Sequence, residues 1–265
     1  MSAAPHIVPL SSRALVRISG PDWRSFLQGL LSQDVDTLAA GEIRFGALLT
    51  PQGRLLYDLF LIGDDDGCRL DVERATRDAL IQRLSMYRLR AKVVVEADEA
   101  PVAAAIGEQP PGEWLQDPRL PALGWRGYGV TAHGDEAEYD RHRLALGVPG
   151  PADWAGETTY PIEANFDLLG GIDFKKGCFV GQETTSRMKR RGTIKSRMLT
   201  LAFDGPPPPP GAEVLAGELR AAEVLSGVEG RAMALARLDR AASGDLTVDG
   251  RPVRAVRPQW FPADA

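Results

Sequence analysis

The sequence has few cysteines and no long apolar run, and each shortage excludes a class of protein. Only Cys68 and Cys178 occur among its 265 residues. Two thiols cannot build a disulfide framework, a four-cysteine zinc site or a full ligand set for an iron–sulfur cluster. No stretch of about 18 apolar residues occurs, so we expect no transmembrane helix.

Signals for export are also missing at the start of the chain. The stretch MSAAPHIVPLSSRALVRISG has no apolar core of signal-peptide length. It is neither dense in arginine nor clearly amphipathic, which disfavours a mitochondrial transit peptide. We therefore expect a cytoplasmic protein.

Acidic residues slightly outnumber basic ones, with 36 Asp and Glu against 31 Lys and Arg. The net charge is −5 and the isoelectric point is about 5.4, while 44% of the residues are hydrophobic. This is ordinary globular composition, and it does not favour a nucleic-acid coat protein. Any site for an anion must therefore be a local basic patch.

The patterning predicts an α+β fold in three parts. Residues 1–100 read as helix, three strands, helix and strand, with a hairpin turn at Asp64–Gly67. Residues 101–194 form a second strand-rich subdomain. Residues 195–265 read as one strand, the extended Pro206–Pro210 connector and then short strands between glycine turns. This pattern is typical of a small β-barrel.

A glycine-flanked cysteine lies in the second part. In KKGCFVGQE, Gly177 and Gly181 enclose Cys178, and glycine permits positive φ and close backbone approach. The pattern predicts a sharp turn that presents the thiol. The alternative is a small buried residue, which is the commoner role of a lone cysteine. Cys68 begins a predicted strand, and we expect it to be inert.

A run of cations surrounds this cysteine. Lys175 and Lys176 precede it, and no acid occurs between Glu183 and Asp204. A positive field would favour the thiolate and would suit an anionic ligand; the alternative is a solvated charged face. The cations after Glu183 are Arg187, Lys189, Arg190, Arg191, Lys195 and Arg197.

The segment KGCFVGQE resembles the signature of the YgfZ-type folate-binding proteins, whose mitochondrial relatives assist late iron–sulfur cluster assembly. The segments YRLRAKVVVE, DPRLPALGWR and YPIEANFDLLGGIDFKKGC are also similar to that family. The resemblance extends over nearly the whole chain and is weakest in the barrel. The motif residues are Lys176, Gly177, Cys178, Gly181, Gln182 and Glu183.

The wider superfamily includes the aminomethyltransferase, or T protein, of glycine cleavage. This resemblance implies a ring of three subdomains around a central channel that holds tetrahydrofolate. Glu163 falls where the T proteins place the glutamate that reads the pteridine, and Asn165 is a weaker candidate. Arg187 would lie nearer the glutamate tail of the folate. A helix-terminal acid is the alternative role of Glu163.

One acidic pair departs from the T proteins. Where they carry two adjacent acids, this chain has Tyr57 followed by Asp58. Asp58 keeps the second acid and is a fourth candidate for folate binding, but the loss of the first acid argues against aminomethyl transfer. The T proteins also lack the cysteine of the KGC segment, so Cys178 indicates a different task.

Three functions compete at this stage. The first is a monomeric, tetrahydrofolate-binding accessory factor for iron–sulfur cluster synthesis or repair, with Cys178 as the working thiol and cluster clients or carriers as partners. The second is a folate-dependent one-carbon transferase. The third is a non-catalytic module that docks RNA or an acidic protein through the basic stretch, although few aromatic residues lie there to stack on bases.

Overall fold

The computed structural model describes residues 4–154, 157–192, 194–242 and 244–262. Across these residues the strands form a five-stranded sheet, a four-stranded sheet and a closed six-stranded barrel. The prediction of an α+β fold with three subdomains is therefore confirmed. No helix in the described part of the chain is long and apolar enough to cross a membrane.

Helices and strands alternate irregularly along the chain. The strands are β1 His6–Pro9, β2 Arg13–Ser19, β3 Ile43–Leu49, β4 Leu55–Gly63, β5 Gly67–Glu73, β6 Val94–Asp98, β7 Val102–Ile106, β8 Trp114–Gln116, β9 Trp125–Tyr128, β10 Ser196–Ala202, β11 Glu213–Ala216, β12 Leu219–Val228, β13 Arg231–Arg237, β14 Leu246–Val248 and β15 Arg251–Val256. The helices are α1 Trp23–Gln28, α2 Arg77–Tyr87, α3 Glu136–Ala145, α4 Gln182–Arg191 and α5 Leu238–Ala241.

The first sheet is antiparallel, in the order β3-β4-β5-β2-β6. Its β4–β5 hairpin closes where the sequence predicts, with the Asp64 amide donating to Gly67 O at 3.0 Å. One apolar cluster joins α1 and α2 to this sheet through side chains such as Leu27 and Leu80, both fully buried. Burial of such side chains holds the helices on the sheet.

The second sheet has the order β1-β7-β9-β8, and β1 is its edge strand. The residues of β1 pair with β7 in the register His6 to Ile106. The prediction that residues 1–100 form one subdomain is therefore wrong for this strand. The chain turns sharply after β1, with the Arg13 amide donating to Leu10 O at 3.0 Å, and enters the first sheet as β2.

The barrel closes in the order β10-β13-β12-β11-β14-β15. Its interior includes the small, fully buried side chains of Ala232, Ala234 and Ala236 on β13. Small inward residues allow so few strands to close around a filled interior. The proline connector packs on β12, where a Cβ at Gly227 would lie 2.6 Å from Pro207 Cβ.

The three parts meet at one apolar cluster. Phe45 and Phe60 of the first sheet, Phe166 of the segment before α4, and Met198 and Met233 of the barrel belong to it. The ring centroids of Phe45 and Phe166 are 4.6 Å apart. This central apolar cluster therefore packs the three parts against one another.

Candidate functional site

The segment 171–181 forms an ordered loop on the chain that follows α1. The Asp173 amide donates to Ser32 O at 2.9 Å. The Asp173 carboxylate accepts from the amides of Lys175 and Lys176 at 2.7 and 3.2 Å. Such a side-chain turn fixes the backbone just before the cysteine.

Lys176 holds this loop against residues 28–33, which are the last residue of α1 and the chain after it and are called the post-α1 segment below. Its Nζ donates to the carbonyls of Gln28, Leu31 and Gln33 at 2.8, 2.7 and 2.8 Å. An ammonium group has three donors, and here three acceptors take them. Burial lowers the pKa of Lys176 to about 8, although nearby Asp34 and other acids favour the charged form.

The loop is anchored again immediately after the cysteine. Phe179 is buried in the central apolar cluster, and the Val180 amide donates to Gly29 O at 3.1 Å. Cys178 lies between the anchors of Lys176 and Phe179, and its side chain is exposed. The structure therefore presents this thiol at the surface, as the sequence predicts.

Cys68 has the opposite environment. It is fully buried in the cluster beneath α1 and α2. Burial raises the pKa of its thiol well above the ordinary range, and Asp64 adds to the effect. A thiol without access to solvent or thiolate character is unreactive, which agrees with the expectation for Cys68.

The two motif glycines differ in what they do. Gly181 has φ +81°, and a Cβ there would lie 2.6 Å from Thr50 O and 3.0 Å from Gly53 Cα. It therefore allows the β3–β4 turn to pack against the start of α4. Gly177 has no atom within 4 Å of a Cβ built on it. The expectation that both glycines shape the turn is wrong for Gly177.

Beyond Gly181 the chain is helical, where the sequence predicts only a turn and a basic stretch. Thr185 is buried in α4, and Met188 packs against the central cluster. The outward face carries Arg187, Lys189, Arg190 and Arg191. Cations in the last turn interact favourably with the helix dipole.

The motif residues Gln182 and Glu183 do not fix the loop. Neither side chain makes a hydrogen bond within the described residues, and Asp173 and Lys176 hold the loop instead. Both residues face a surface groove of about 550 Å³ beside the loop. The groove is lined by Phe174, Gln182, Glu183, Ser186, Lys189 and Arg190.

Glu163 lies in a small cluster with Tyr160 and Arg54. Its carboxylate accepts from the Tyr160 amide at 3.1 Å, and the Arg54 guanidinium stacks 3.5 Å from the Tyr160 ring. Burial raises the pKa of Glu163, while the amide and Arg54 oppose that rise. The side chain is half-buried.

Asn165 has a structural role. It is fully buried with φ +61°, its Nδ2 donates to Met198 O at 2.8 Å, and its Oδ1 accepts from Arg197 Nη1 at 3.2 Å. These bonds tie the segment before α4 to the first strand of the barrel. Arg187, by contrast, is exposed and has no polar partner in the described residues.

Asp58 belongs to a buried network between the two sheets that the sequence did not predict. It pairs with Arg13 at 2.8 Å, and Arg13 also donates to Asp71 at 2.7 Å. Arg126 of the second sheet pairs with Asp71 at 2.6 Å. The neighbouring Tyr57 packs instead against the apolar cluster that joins α1 and α2 to the first sheet.

A second set of pairs continues this network across the sheets. Asp117 pairs with Arg119 at 2.8 Å and lies 3.5 Å from Arg126. The three guanidinium groups surround the ring of Phe60, with that of Arg126 3.9 Å from its centroid. Asp117 and Arg119 are two residues apart, but Asp58 and Asp71 lie 45 to 58 residues from their arginine partners, so no local pattern could have indicated those pairs.

A cavity of about 350 Å³ lies against this network. Its wall comes from both sheets, from α3 and from the turn at Gly150–Ala152. Asp58 lines it, but Glu163, Asn165 and Arg187 do not. The four residues predicted to bind folate therefore do not converge on this cavity. No cluster of three or more His, Cys, Asp or Glu side chains suited to a metal ion occurs in the described residues.

Comparison with known proteins gives a consistent result for the barrel and for the chain as a whole. Residues 195–263 match the family model of the CAF17 C-terminal beta-barrel domain. The chain is 33% identical to the human mitochondrial iron–sulfur cluster assembly factor IBA57 over 248 residues, covering 78% of this chain and 70% of that protein. For the mouse protein of the same name, the identity is 31%, with 97% and 85% covered.

Coverage is lower for one fungal relative. The chain spans 57% of the Mycosarcoma maydis homologue, to which it is 33% identical. Among solved structures, the glycine cleavage aminomethyltransferase T of Bartonella henselae matches with a TM-score of 0.80 over 99% of this chain and 88% of that one. The sequence identity is 20%, so this match establishes the fold alone.

The expectation of a cytoplasmic protein is contradicted, because these curated relatives are named as mitochondrial proteins. Composition could not have separated the two locations. Sparing use of cysteine and the lack of a disulfide framework suit any reducing compartment.

Proposed function

Because this chain belongs to the family of the IBA57 iron–sulfur cluster assembly factors, we propose that it is an accessory factor for the synthesis or repair of iron–sulfur clusters in client enzymes. Cys178 is its working thiol in this proposal. The finer likeness to the YgfZ-type folate-binding proteins suggests that the work depends on a reduced folate.

The exposure of Cys178 on an anchored loop is the observation that carries the proposal. Lys176 and Phe179 fix the backbone on both sides, so the thiol has a defined position without being covered. A ligand that is already held in position loses little conformational entropy when it binds a metal centre. Transfer of a metal centre between proteins is therefore less costly. No atom lies within 4 Å of a Cβ built on Gly177, so a partner's backbone could approach the chain next to Cys178.

One thiol cannot hold a cluster alone, since clusters are commonly ligated by four cysteines. The described residues contain no group of three or more His, Cys, Asp or Glu side chains that could hold a metal ion. Cys178 would therefore supply one ligand to a cluster whose other ligands belong to a carrier or client. This favours transfer or repair over storage.

For the folate, the cavity between the sheets is the site that we propose. Its volume is at the lower end of the range for ligand pockets, which is enough for a pterin ring system. Carboxylates such as Asp58 on its wall suit the N–H donors of an amino-pyrimidine edge. The residues present thus fit the pterin end of a folate, and a bound folate would supply a one-carbon carrier or a structural ligand there.

A deletion strain tests the proposal for Cys178. The activities of cluster-dependent enzymes should fall on deletion and be restored by the wild type and by Cys68→Ala. Cys178→Ala should restore none of the lost activity. Full restoration by Cys178→Ala would remove the thiol from the mechanism.

Thiol alkylation gives an independent check in vitro. Cys178 should react in the native protein, whereas Cys68 should react only after unfolding, because it is fully buried. Reaction of both thiols at equal rates under native conditions would contradict the proposed division of roles.

A further inference from the structure

We propose that the end of α2 and the turn that follows it dock an acidic protein partner, which is the carrier or client whose cluster reaches Cys178. This surface, called the α2–β6 segment below, consists of residues 86–92. The cluster chemistry of the partner rests on the proposed function. The docking surface itself rests on the exposure, backbone conformation and charge of the segment.

Exposed apolar side chains are concentrated in this part of the molecule. Met86, Tyr87 and Leu89 are 64%, 41% and 90% exposed, and Val94, which begins β6, is 48% exposed. Only two other large apolar side chains of the described residues are exposed. Single apolar side chains scattered over a surface need no explanation, whereas a group of them indicates a contact surface.

The most exposed of these residues, Leu89, also has an unfavourable backbone conformation. Its φ is +43°, in the left-handed region that glycine and asparagine adopt more readily than leucine. No apolar cluster of the described residues includes its side chain. The fold therefore gains little from a leucine at this position, and contact with a partner accounts for it.

The charge around these side chains is positive. Residues 79–95 contain four cations and no acid, in a chain whose net charge is −5. None of the four forms an ion pair within the described residues, although Arg88 donates to Val93 O at 3.2 Å. Such a surface is complementary to an acidic partner. The cations are Arg83, Arg88, Arg90 and Lys92.

An anionic bilayer is the main alternative occupant, and three observations favour a protein. Tyrosine, methionine and arginine, which make up most of the segment, are enriched in protein interfaces. The neighbouring strand β6 pairs only with β2, and its outer edge makes no backbone hydrogen bond within the described residues. A polypeptide can use that edge, and a lipid cannot. The net negative charge of the whole chain also opposes binding to an anionic bilayer.

Helix α1 connects the α2–β6 segment to the loop of Cys178. Asp22, directly before α1, accepts from the Lys92 amide at 2.8 Å. At the other end of the helix, Gly29 O accepts from the Val180 amide at 3.1 Å. The six residues of α1 extend over about 9 Å, whereas a standard protein interface is roughly 30 Å across. One partner is therefore large enough to contact the segment and to reach Cys178.

Leu89→Asn in the deletion strain separates docking from folding. Asparagine tolerates the left-handed region better than leucine, so the Tm of the purified variant should be unchanged or higher. The restored activity of cluster-dependent enzymes should nevertheless fall by about fivefold or more, because an apolar contact with the partner is lost. Leu219→Asn, which changes an exposed leucine of the barrel, should alter neither quantity. Full restoration by Leu89→Asn, or a joint fall in Tm and activity, would overturn the proposal.

Charge reversal tests the acidic character of the partner. The double variant Arg90→Glu with Lys92→Glu should lower the restored activity by about fivefold or more, with little change in the Tm. The control is Arg190→Glu with Arg191→Glu, which reverses two exposed cations of α4 and should restore activity as the wild type does. A loss of activity in the α4 variant alone would place the docking surface on α4 instead.

Photocrosslinking on the full chain identifies the occupant. Benzoylphenylalanine in place of Leu89 should form an adduct with an acidic protein that holds an iron–sulfur cluster when purified. The yield should fall by about fivefold or more when Arg90→Glu and Lys92→Glu are added, and the same group in place of Leu219 should not form this adduct. A main product with phospholipid, with nucleic acid or with a second copy of this chain would overturn the proposal.

These results distinguish a failure of the surface from a failure of the proposed function. If deletion leaves the cluster-dependent enzymes fully active, the proposed function fails, and the crosslink with its charge dependence still tests the surface. If Cys178→Ala restores nothing while Leu89→Asn and the reversal of Arg90 and Lys92 restore full activity, the docking surface fails and the proposed function stands.

Discussion

Lys175 and Lys176 are adjacent in the sequence, but their ammonium groups have different surroundings. We expected both to increase the thiolate fraction of Cys178. Lys176 instead donates to three carbonyls of the post-α1 segment, while the side chain of Lys175 is exposed. The sequence shows the charge of a lysine but not the carbonyls that surround it, so this role could not be predicted.

Replacing Lys176 with methionine should therefore destabilise the fold. Three carbonyls would lose a charged donor, and we expect the free energy of unfolding to fall by about 2–3 kcal/mol. Lys175→Met, which removes an exposed charge, should change it by less than about 0.5 kcal/mol. Urea unfolding of both variants is the measurement, and equal stabilities would show that Lys176 is not a clamp.

Asp34, in the chain that follows α1, makes the free energy of unfolding depend on pH in the acid range. Burial opposes its ionisation, but hydrogen bonds from Thr37, Gln28 and Arg44 lower the pKa of Asp34 to about 2. A carboxyl with a depressed folded-state pKa adds stability above its unfolded pKa of about 3.9, and that stability is lost as pH falls towards about 2.

Asp34→Asn should accordingly lower the free energy of unfolding by about 1–2 kcal/mol at pH 7, after allowance for solvent screening. The difference from the wild type should shrink as pH falls from about 4 to about 2. Asp36→Asn, at an exposed position nearby, should change little. A pH-independent difference for Asp34→Asn would refute the linkage.

Among the elements, α4 is a helix that the sequence did not predict. Strands such as β3, β4 and β10 were predicted because apolar residues alternate or run together in them. The segment GQETTSRMKRRG offers few apolar residues at helical spacing, since mainly Thr185 and Met188 face inward. Its local signals were a glycine at each end, Gly181 and Gly192, and cations in the last turn.

The segment GPDWRSFLQGLLSQDV predicts a longer helix than α1. The apolar residues continue to Leu31, but the helix ends at Gln28. Leu30 and Leu31 still pack against the first core, although the chain there is no longer helical. Periodicity therefore located the core contacts correctly and misplaced the helix end.

The start of α4 gives a paired prediction at its two motif glycines. Gly181→Ala forces a side chain into the left-handed region and against Thr50 O, so the free energy of unfolding should fall by about 2–4 kcal/mol. Gly177→Ala meets no atom and should change it by less than about 0.5 kcal/mol. Thermal or urea unfolding compares them, and similar losses in both would contradict the packing described for Gly181.

At the scale of the whole molecule, the buried ion pairs join the two sheets. Arg126 and Asp117 belong to the second unit, and Asp71 and Arg13 to the first. Each charge is removed from water and depends on its partners. The sequence predicted three parts but could not indicate how charged side chains fasten two of them.

Arg126→Met should thus be costly, because it leaves Asp71 with one guanidinium partner in a buried site. Breaking a buried pair costs about 3–5 kcal/mol. Arg17→Met, which removes an exposed pair with Asp66, should cost less than about 1 kcal/mol. Urea unfolding of both variants measures the difference, and a small effect of Arg126→Met would show that packing alone holds the sheets together.

The pairing of β1 with β7 also sets a schedule for biosynthesis. His6 cannot find Ile106 until a hundred further residues have left the ribosome. At about 5–20 residues per second this takes roughly 5–20 s, during which β1 has no native strand to pair with. The first sheet can close earlier, when Asp98 emerges to pair with Leu15. The opening strand of the chain is thus among the last to be placed in this half of the molecule, and a chaperone that shields it would act in that interval.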